Sequence, residues 1–214
     1  KDYFILNNML NVLVEGQIPL HYDREALEEY LNTEIRDNLK TFDSIDEKLD
    51  YLISHDYIDE SVLSIYGENN TLEIYENCML RDTNIIVQGN NLRITIKNNC
   101  EIGGATIVCA GENSSIQIDE QCLIASNIEI RNNDGHSIFE NGNLINPSSN
   151  IHIGNNVWIC QNVKILKGAH IGNNSVIALN ALVSSGVYEN NVILAGIPAK
   201  IIKSNIYWSK ELPN

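Results

Sequence analysis

Between residues 153 and 188 the apolar positions recur every six residues. The first place of each hexapeptide is aliphatic, and it is occupied by Ile153, Ile159, Ile165, Ile171, Ile177 and Val183. The fifth place is small or branched, and it is occupied by Val157, Val163, Ala169, Ser175, Ala181 and Val187. A helix has a period of 3.6 residues and a two-sided strand a period of two, so neither produces this pattern. Three short extended segments per coil do produce it, which predicts a triangular β-solenoid with both places pointing inward.

Residues 72–130 carry a longer period of the same kind. Apolar residues recur every 22 positions, in the sets Ile74, Ile96, Ile118; Leu80, Ile102, Ile124; and Cys78, Cys100, Cys122. A coil of three sides plus one longer corner explains this interval, because QGNN at 88–91 and AGEN at 110–113 supply Gly and Asn suited to positive φ. We therefore expect about six coils at ~4.8 Å each, a prism on the order of 30 Å long.

The repeat stops between Ile130 and Ile153. The intervening RNNDGHSIFENGNLINPSSNIH is polar and rich in turn-forming residues, which predicts a loop over residues 131–150 that leaves the prism. Loops held by a rigid scaffold often carry function. After the last repeat, residues 192–203 are expected to close the final coil.

The first 68 residues show helical periodicity instead. Ser44 and Glu47 form a capping box ahead of one predicted helix, an earlier helix begins near Asp23, and a short third helix is predicted around residues 60–66. The sequence thus divides into three parts: a helical N-terminal domain at 1–68, a β-helix at 69–203 and a tail at 204–214.

Charge supports a division into two modules. The chain has 214 residues and a net charge of −14, and residues 1–70 hold 16 acidic and 5 basic side chains of that total. We interpret the acidic module as a solvated helix surface, with a partner-docking face as the alternative. Neither module is basic, so nucleic-acid binding is not expected. No apolar run approaches the ~18 residues of a membrane span, and no leader sequence opens the chain, so we expect a cytoplasmic protein.

The five cysteines predict neither a disulfide framework nor a zinc site. Their number is odd and no CxxC occurs. We expect reduced thiols, and we interpret the stacked set as a ladder of small core residues.

The N-terminal segment resembles a known domain. YFILNNMLNVLVEGQIPLHYDREALEEYL and SIDEKLDYLISHDYIDESVLSIY are similar to the helical N-terminal domain of class I ribonucleotide reductase large subunits. Nothing after Gly67 continues the likeness, and the reductase barrel with its cysteines is absent, so reductase activity is not implied. A module here would cap the first coil, which otherwise exposes unpaired strand groups and apolar core.

The stretch from Asp134 to Lys203 resembles the hexapeptide acyltransferases. The matching pieces are RNNDGH, ENGNLI, IGNNVWI, the six repeats and AGIPAKIIK. Within that family it is most similar to the branch that acetylates sugar hydroxyls, which includes galactoside and polysialic acid O-acetyltransferases. The resemblance implies a left-handed parallel β-helix, a homotrimer, and acetyl-coenzyme A bound in the cleft between neighbouring subunits.

By this resemblance His136 is the catalytic base. Transfer from a thioester requires a base to accept the proton of the attacking hydroxyl, and imidazole, with an unperturbed pKa near ~6.5, suits that role. The family's mechanism is direct attack within a ternary complex. Asp134 would orient the ring or hold the acceptor. The alternative for His136 is an ordinary surface histidine.

The donor site implied by the resemblance lies elsewhere on the repeats. Trp158 takes an outward place, where an aromatic needs a cover; it matches the Trp beside the pantetheine arm, with plain trimer contact as the alternative. Lys200 and Lys203 match a basic pair that meets coenzyme A phosphates, with solvated lysines as the alternative. The remaining groove positions are Gln161, Leu179, Ser184 and Ser185.

The sequence departs from the family pattern in several places. Ser185 stands where a Lys is common, and Ser137 stands where a Pro often follows the catalytic His. Leu179 and Asn180 replace the usual small pair. These departures bear on cofactor affinity and groove width more than on the class of reaction.

The leading hypothesis is an acetyl-coenzyme A-dependent O-acetyltransferase that acts on a saccharide hydroxyl in surface-glycan synthesis, with no metal. One alternative is an N-acetyltransferase acting on an amino sugar nucleotide, and another is a non-catalytic β-helix scaffold. His152 and His170, 18 residues apart, should stack on adjacent coils. A three-histidine zinc site of the γ-class carbonic anhydrase kind would use such geometry, but no third ligand is placed.

Overall fold

The computed structural model describes residues 16–19 and 62–212. The helices predicted within residues 1–61 lie outside the described residues. The described backbone forms strands and turns and contains no helix. In chain order the strands are β1 (Gly16–Pro19), β2 (Val62–Tyr66), β3 (Thr71–Ile74), β4 (Met79–Leu80), β5 (Asn84–Asn90), β6 (Arg93–Ile96), β7 (Glu101–Ile102), β8 (Ala105–Glu112), β9 (Ser115–Ile118), β10 (Leu123–Ile124), β11 (Ile128–Arg131), β12 (Phe139–Glu140), β13 (Asn143–Leu144), β14 (Ile151–Ile153), β15 (Trp158–Ile159), β16 (Lys164–Leu166), β17 (Ala169–Ile171), β18 (Val176–Ile177), β19 (Leu182–Val183), β20 (Gly186–Tyr188), β21 (Val192–Gly196) and β22 (Ala199–Ser204).

Three sheets form the sides of a prism. Sheet one has the order β1-β2-β5-β8-β11-β16-β19, sheet two β22-β21-β18-β15-β10-β7-β4, and sheet three β20-β17-β14-β9-β6-β3. From β2 to β21, apart from β12 and β13, successive strands fall in different sheets, so three strands make one coil. Sheet three has one strand per coil, and its six strands confirm the predicted parallel β-helix of about six coils. The hairpin β12–β13 stands apart from all three sheets.

The strand register matches both predicted periods. Ile74, Ile96 and Ile118 stand opposite one another in sheet three, 22 residues apart. Beyond the loop, Ile153 pairs with Ile171 across an 18-residue coil. These side chains are buried, and they belong to one apolar core that runs along the prism.

The last coil departs from the predicted pattern at Val187. Strand β20 pairs Gly186 with Ala169 and Tyr188 with Ile171, so this coil is one residue shorter than the one before it. A shift of one residue turns a strand side chain to the opposite face. Val187 is therefore 86% exposed and Tyr188 packs against the core in its place. The prediction that Val187 points inward is wrong.

The cysteine ladder is confirmed. Cys78, Cys100 and Cys122 are buried, and each thiol donates a hydrogen bond to a backbone carbonyl of the next coil at 3.0–3.2 Å. All five cysteines are free thiols. The neighbouring Cys122 thiol, together with burial, raises the pKa of Cys100 to about 12. The ladder therefore consists of small side chains that fill the core.

A glycine column marks the longer corner of the first coils. Gly67, Gly89 and Gly111 stack there with φ values of +101°, +136° and +101°. Strand β5 continues through Gly89 to Asn90, so the chain bends within the strand. A Cβ at Gly89 would lie 1.8 Å from the carbonyl oxygen of Gly111. Glycine is thus required by both backbone conformation and space.

At the N-terminal end, residues 62–66 form strand β2, so the predicted short helix is wrong. Leu63 and Ile65 stack on Ile85 and Val87 of β5 and are each 2% exposed. Alternation of these two side chains toward the core follows the period of a strand. Strand β1 pairs antiparallel with β2 and occupies the edge that β2 would otherwise leave open.

At the C-terminal end the chain reverses. Strand β21 completes the last coil, and β22 folds back on it antiparallel, so residues 192–203 form a hairpin that the repeat pattern did not predict. The segment that follows stays on the prism, because Asn191 exchanges backbone and side-chain hydrogen bonds of 3.0 and 3.1 Å with Ile206. The described part of the predicted tail thus contacts the last coil at Ile206.

Candidate active site

The loop predicted at residues 131–150 leaves the prism between β11 of sheet one and β14 of sheet three. Asn132 is fully buried; its amide accepts a hydrogen bond from the Ala110 backbone at 2.7 Å and donates one to Ser114 Oγ at 2.8 Å. Asn150 Oδ1 accepts from the Ser115 backbone at 2.9 Å. Two asparagines therefore fix both ends of the loop to the preceding coil.

Inside the loop, one amide side chain binds three groups. Asn146 Nδ2 donates to the His136 carbonyl oxygen at 2.8 Å and to Asp134 Oδ2 at 2.9 Å. Asn146 Oδ1 accepts from the Ile138 backbone at 2.6 Å. Lys167 Nζ lies 2.6 Å from Asp134 Oδ2. We call Asp134, Asn146 and Lys167 the loop clamp.

Asp134 is charged in this arrangement. The hydrogen bond from Lys167, followed by that from Asn146, lowers the pKa of its carboxyl below the ordinary value. The hydrogen bonds found in the described residues include none between this carboxylate and the His136 ring. Within one chain, the Asp134 carboxylate therefore binds the side chains of Asn146 and Lys167 rather than the imidazole.

His136 itself is exposed. Its carbonyl is held by the loop clamp, whereas the residue as a whole is exposed to solvent. This is the combination that a general base requires: a fixed backbone and a ring that a substrate can reach.

Trp158 has a cover that the sequence analysis missed. Its ring centroid lies 5.7 Å from that of Trp208 at an interplanar angle of 40°, and it remains 37% exposed. Trp208 Nε1 donates to the Asn156 carbonyl at 2.8 Å, and Lys210 contacts the Glu101 carboxylate. The one feature of the sequence that could have indicated this contact was a single Trp in a short tail. The chain's own C-terminal segment thus packs on the predicted donor residue.

Replacing Trp208 with Ala should expose Trp158. Trp158 and Trp208 are the two tryptophans of the chain, so Trp208→Ala and Trp208→Phe both leave Trp158 as the sole emitter. We expect stronger acrylamide quenching of Trp158 fluorescence in the Ala variant, because only Phe keeps a ring against the indole. Equal quenching in the two variants would show that the ring contact does not shield Trp158.

The other predicted donor residues fall on sheet two and its corner with sheet one. Lys200 and Lys203 are exposed on β22, the edge strand of the sheet that contains Trp158. Gln161 follows β15, and its carbonyl accepts from the Asn180 backbone of the next coil at 3.1 Å. Leu179, adjacent to Asn180, is 57% exposed. These positions form one surface on adjacent coils.

Ser184 and Ser185 lie at a different corner. They connect β19 of sheet one to β20 of sheet three, as Lys167 and Gly168 do one coil earlier. Ser185 Oγ would lie 2.6 Å from a Cβ at Gly168, so the two corners are in close contact. Both serines therefore share the corner of the prism from which the loop departs.

The topology separates the predicted site residues into two groups. His136, Asp134, Ser184 and Ser185 belong to the corner between sheets one and three. Trp158, Gln161, Leu179, Lys200 and Lys203 belong to sheet two and its corner with sheet one. In a three-sided prism, a corner lies opposite the remaining side. A single chain therefore does not bring His136 and Trp158 into one cleft.

The two histidines of sheet three stack as predicted. His152 pairs with His170 on adjacent coils, with ring centroids 6.4 Å apart. His152 Nε2 lies 2.7 Å from Asp119 Oδ2, and Asp119 also contacts Lys97 at 2.8 Å and Gln117 at 2.7 Å. Burial raises the pKa of Asp119, but these three partners outweigh it and the net shift is downward. Among the described residues, no group of three His, Cys, Asp or Glu side chains could hold a metal ion.

Two family models match the chain. "Ribonucleotide reductase N-terminal" matches residues 3–80, and "Bacterial transferase hexapeptide (six repeats)" matches residues 150–185. Both resemblances are thereby confirmed. The first match extends past Gly67, where the expected likeness ended, into strands β3 and β4 of the first coil. The part of the chain that the structure describes contains no helix long and apolar enough to cross a membrane.

Individual proteins match the two parts of the chain separately. A polysialic acid O-acetyltransferase of Neisseria meningitidis is 51% identical over 92 residues, which cover 42% of this chain and 43% of that protein. The crystal structure of the polySia specific acetyltransferase NeuO is 30% identical with a TM-score of 0.58, covering 70% of this chain and 78% of that one. The alpha subunit of the Bacillus subtilis ribonucleoside-diphosphate reductase is 32% identical over 71 residues, 33% of this chain and 10% of the reductase. The chain spans less than half the length of the Neisseria meningitidis and Bacillus subtilis relatives.

Proposed function

Because the chain belongs to the hexapeptide-repeat acetyltransferase family, we propose that it transfers an acetyl group from acetyl-coenzyme A to a hydroxyl group of a saccharide. The observation that carries this proposal is His136, an exposed imidazole whose backbone is held by the loop clamp. The similarity to polysialic acid O-acetyltransferases supports a glycan acceptor and an ester product.

In the proposed reaction His136 accepts the proton of the acceptor hydroxyl. At the same time the oxygen of that hydroxyl attacks the thioester carbonyl carbon. The carbon–sulfur bond of the tetrahedral intermediate then breaks, and the proton held by His136 passes to the departing thiolate. Backbone N–H groups at the cleft would stabilise the negative oxygen of the intermediate. Positioned base catalysis of this kind typically contributes ~10²–10⁴-fold to the rate.

We propose that two chains build each active site. His136 and Asp134 leave one corner of the prism, whereas Trp158, Gln161, Leu179, Lys200 and Lys203 lie on the opposite side. A neighbouring subunit that presents this side to the loop would complete the cleft. A closed ring of three subunits provides three equivalent clefts, which supports the proposed homotrimer of left-handed β-helices.

The donor is proposed to lie along sheet two. Lys200 and Lys203 are exposed cations that suit the pyrophosphate and 3′-phosphate of coenzyme A. Trp158 would lie beside the pantetheine arm, with Ser184 and Ser185 contributing backbone groups from the chain that supplies His136. The free, buried thiols suit a reducing compartment, and we place the reaction in the cytoplasm.

The acceptor class is tested by thiol release from acetyl-coenzyme A. We expect a sialic acid oligomer, whose nitrogen is already acetylated, to accelerate release, and a free amino sugar nucleotide to accelerate it far less. Acceleration by the amine alone would instead indicate an N-acetyltransferase. No acceleration by either, together with no rise in melting temperature at millimolar acetyl-coenzyme A, would indicate a non-catalytic scaffold.

A further inference from the structure

We infer that Asn146 is a positioning residue for the proposed reaction, because its amide holds the backbone of His136. The inference rests on the proposed function of His136 as the base. Asn146 is half-buried, although both of its chain neighbours are exposed. An amide offers two N–H donors and a carbonyl acceptor. In Asn146 both sides are occupied, by Asp134 and His136 on the donor side and by Ile138 on the acceptor side.

Lys167 connects this arrangement to the prism. It lies between β16 and β17, on the coil that follows the loop, and its side chain is 24% exposed. Besides Asp134, its ammonium group contacts the Pro147 carbonyl at 3.3 Å. The loop clamp therefore joins the start of the loop, its end and a rigid corner.

The rest of the loop is separated from His136 by this clamp. The Ile145 backbone donates to the Ile138 carbonyl at 2.9 Å and closes the base of the hairpin β12–β13. Beyond that bond, the hairpin strands are exposed. The hydrogen bond between residues 138 and 145 thus lies between the hairpin tip and His136 along the chain.

Positioning of this kind has a direct effect on rate. A productive complex holds the reacting atoms about 3–3.5 Å apart, and an error of ~1 Å can cost on the order of 10²-fold. Asn146→Asp preserves shape but replaces the donating NH₂ with a carboxylate oxygen. That oxygen would face Asp134 Oδ2 and the His136 carbonyl, which are both acceptors, so the substitution turns two attractions into repulsions.

The test compares Asn146→Asp and Asn146→Ala with Lys167→Met, which opens the clamp from the prism side. Asn143→Asp is the matched control, because Asn143 is an exposed hairpin residue whose side chain has no hydrogen bond among the described residues. We expect kcat to fall about 10²-fold in Asn146→Asp, with KM for both substrates within about twofold. The melting temperature and the shape of the pH–rate profile should be unchanged, since the same base acts in fewer productive complexes. Lys167→Met should follow the same pattern with a smaller loss.

Several outcomes would overturn the inference. One is a kcat in both Asn146 variants close to that of Asn143→Asp. If the Asn146 variants lose rate only in proportion to the loss of folded protein, Lys167→Met, which is altered on the prism side, decides the question. A fall in its kcat without unfolding supports the inference, and an unchanged kcat overturns it. His136→Ala is measured in parallel. If that variant remains active, the proposed function fails; if it is inactive while the Asn146 variants are active, only the positioning role fails.

Discussion

His136→Ala is expected to lower kcat for acetyl transfer by about 10²–10⁴-fold. Without the imidazole, the acceptor hydroxyl has no positioned group to accept its proton as it attacks the thioester. His136 is exposed and the clamp binds its backbone carbonyl, not its ring, so the fold should be retained. KM for acetyl-coenzyme A should change little, because none of the proposed donor contacts is made by the His136 side chain.

The measurement is initial-rate kinetics of thiol release at saturating acceptor. His170→Ala is the matched control, since His170 is a partly exposed histidine of sheet three that pairs with His152 and is not part of the loop clamp. We expect this control to retain the parental rate. A His136→Ala variant that retains most of that rate would remove His136 from the mechanism.

Gly89→Ala is expected to destabilise the protein by about 3 kcal/mol or more. The backbone conformation at Gly89, with φ of +136°, costs other residues roughly 1–3 kcal/mol. The added Cβ would also lie 1.8 Å from the Gly111 carbonyl oxygen, and overpacking of this kind typically costs about 1–3 kcal/mol. The two strands of sheet one would have to separate at this point.

Urea denaturation measures this effect as a shift in midpoint at unchanged slope. Gly142→Ala provides the control: Gly142 also has a positive φ, of +80°, but nothing lies within 4 Å of its Cβ position in the described structure. We expect the control to lose only about 1–2 kcal/mol, the cost of the left-handed conformation. Equal losses in the two variants would show that close packing of the glycine column contributes nothing.

The prism could be predicted because periodicity reports inward positions directly. Ile153 and Ile171, or Cys78 and Cys100, had to stack once the coil lengths were known. The inward position predicted for Val187 was wrong because the corner at residues 184–185 is one residue shorter than the same corner of the preceding coil. The hexapeptide pattern of the sequence continues through this corner unchanged. The short helix predicted around residues 60–66 was wrong because a five-residue apolar segment carries too little periodicity to separate strand from helix. Its pairing with β5 decides the outcome.

The site was predictable only in part. Loop position and chemistry single out His136, and family likeness supplies the donor residues. Asn146 and Lys167 act through hydrogen bonds between residues 12 and 33 positions apart, and no local pattern encodes such contacts. The separation of His136 from Trp158 could have been predicted from the sequence, because each hexapeptide can be assigned to one side of the prism. Following that assignment shows that one chain cannot form the cleft.

Mass spectrometry of a sialic acid oligosaccharide, incubated with acetyl-coenzyme A and the purified protein, would detect the proposed acetyl transfer itself. We expect a product heavier by one acetyl group that returns to its original mass after mild alkali, as an ester does, and that is absent with His136→Ala. An unmodified oligosaccharide in the presence of folded protein that binds acetyl-coenzyme A would contradict it. So would an acetyl group that resists alkali.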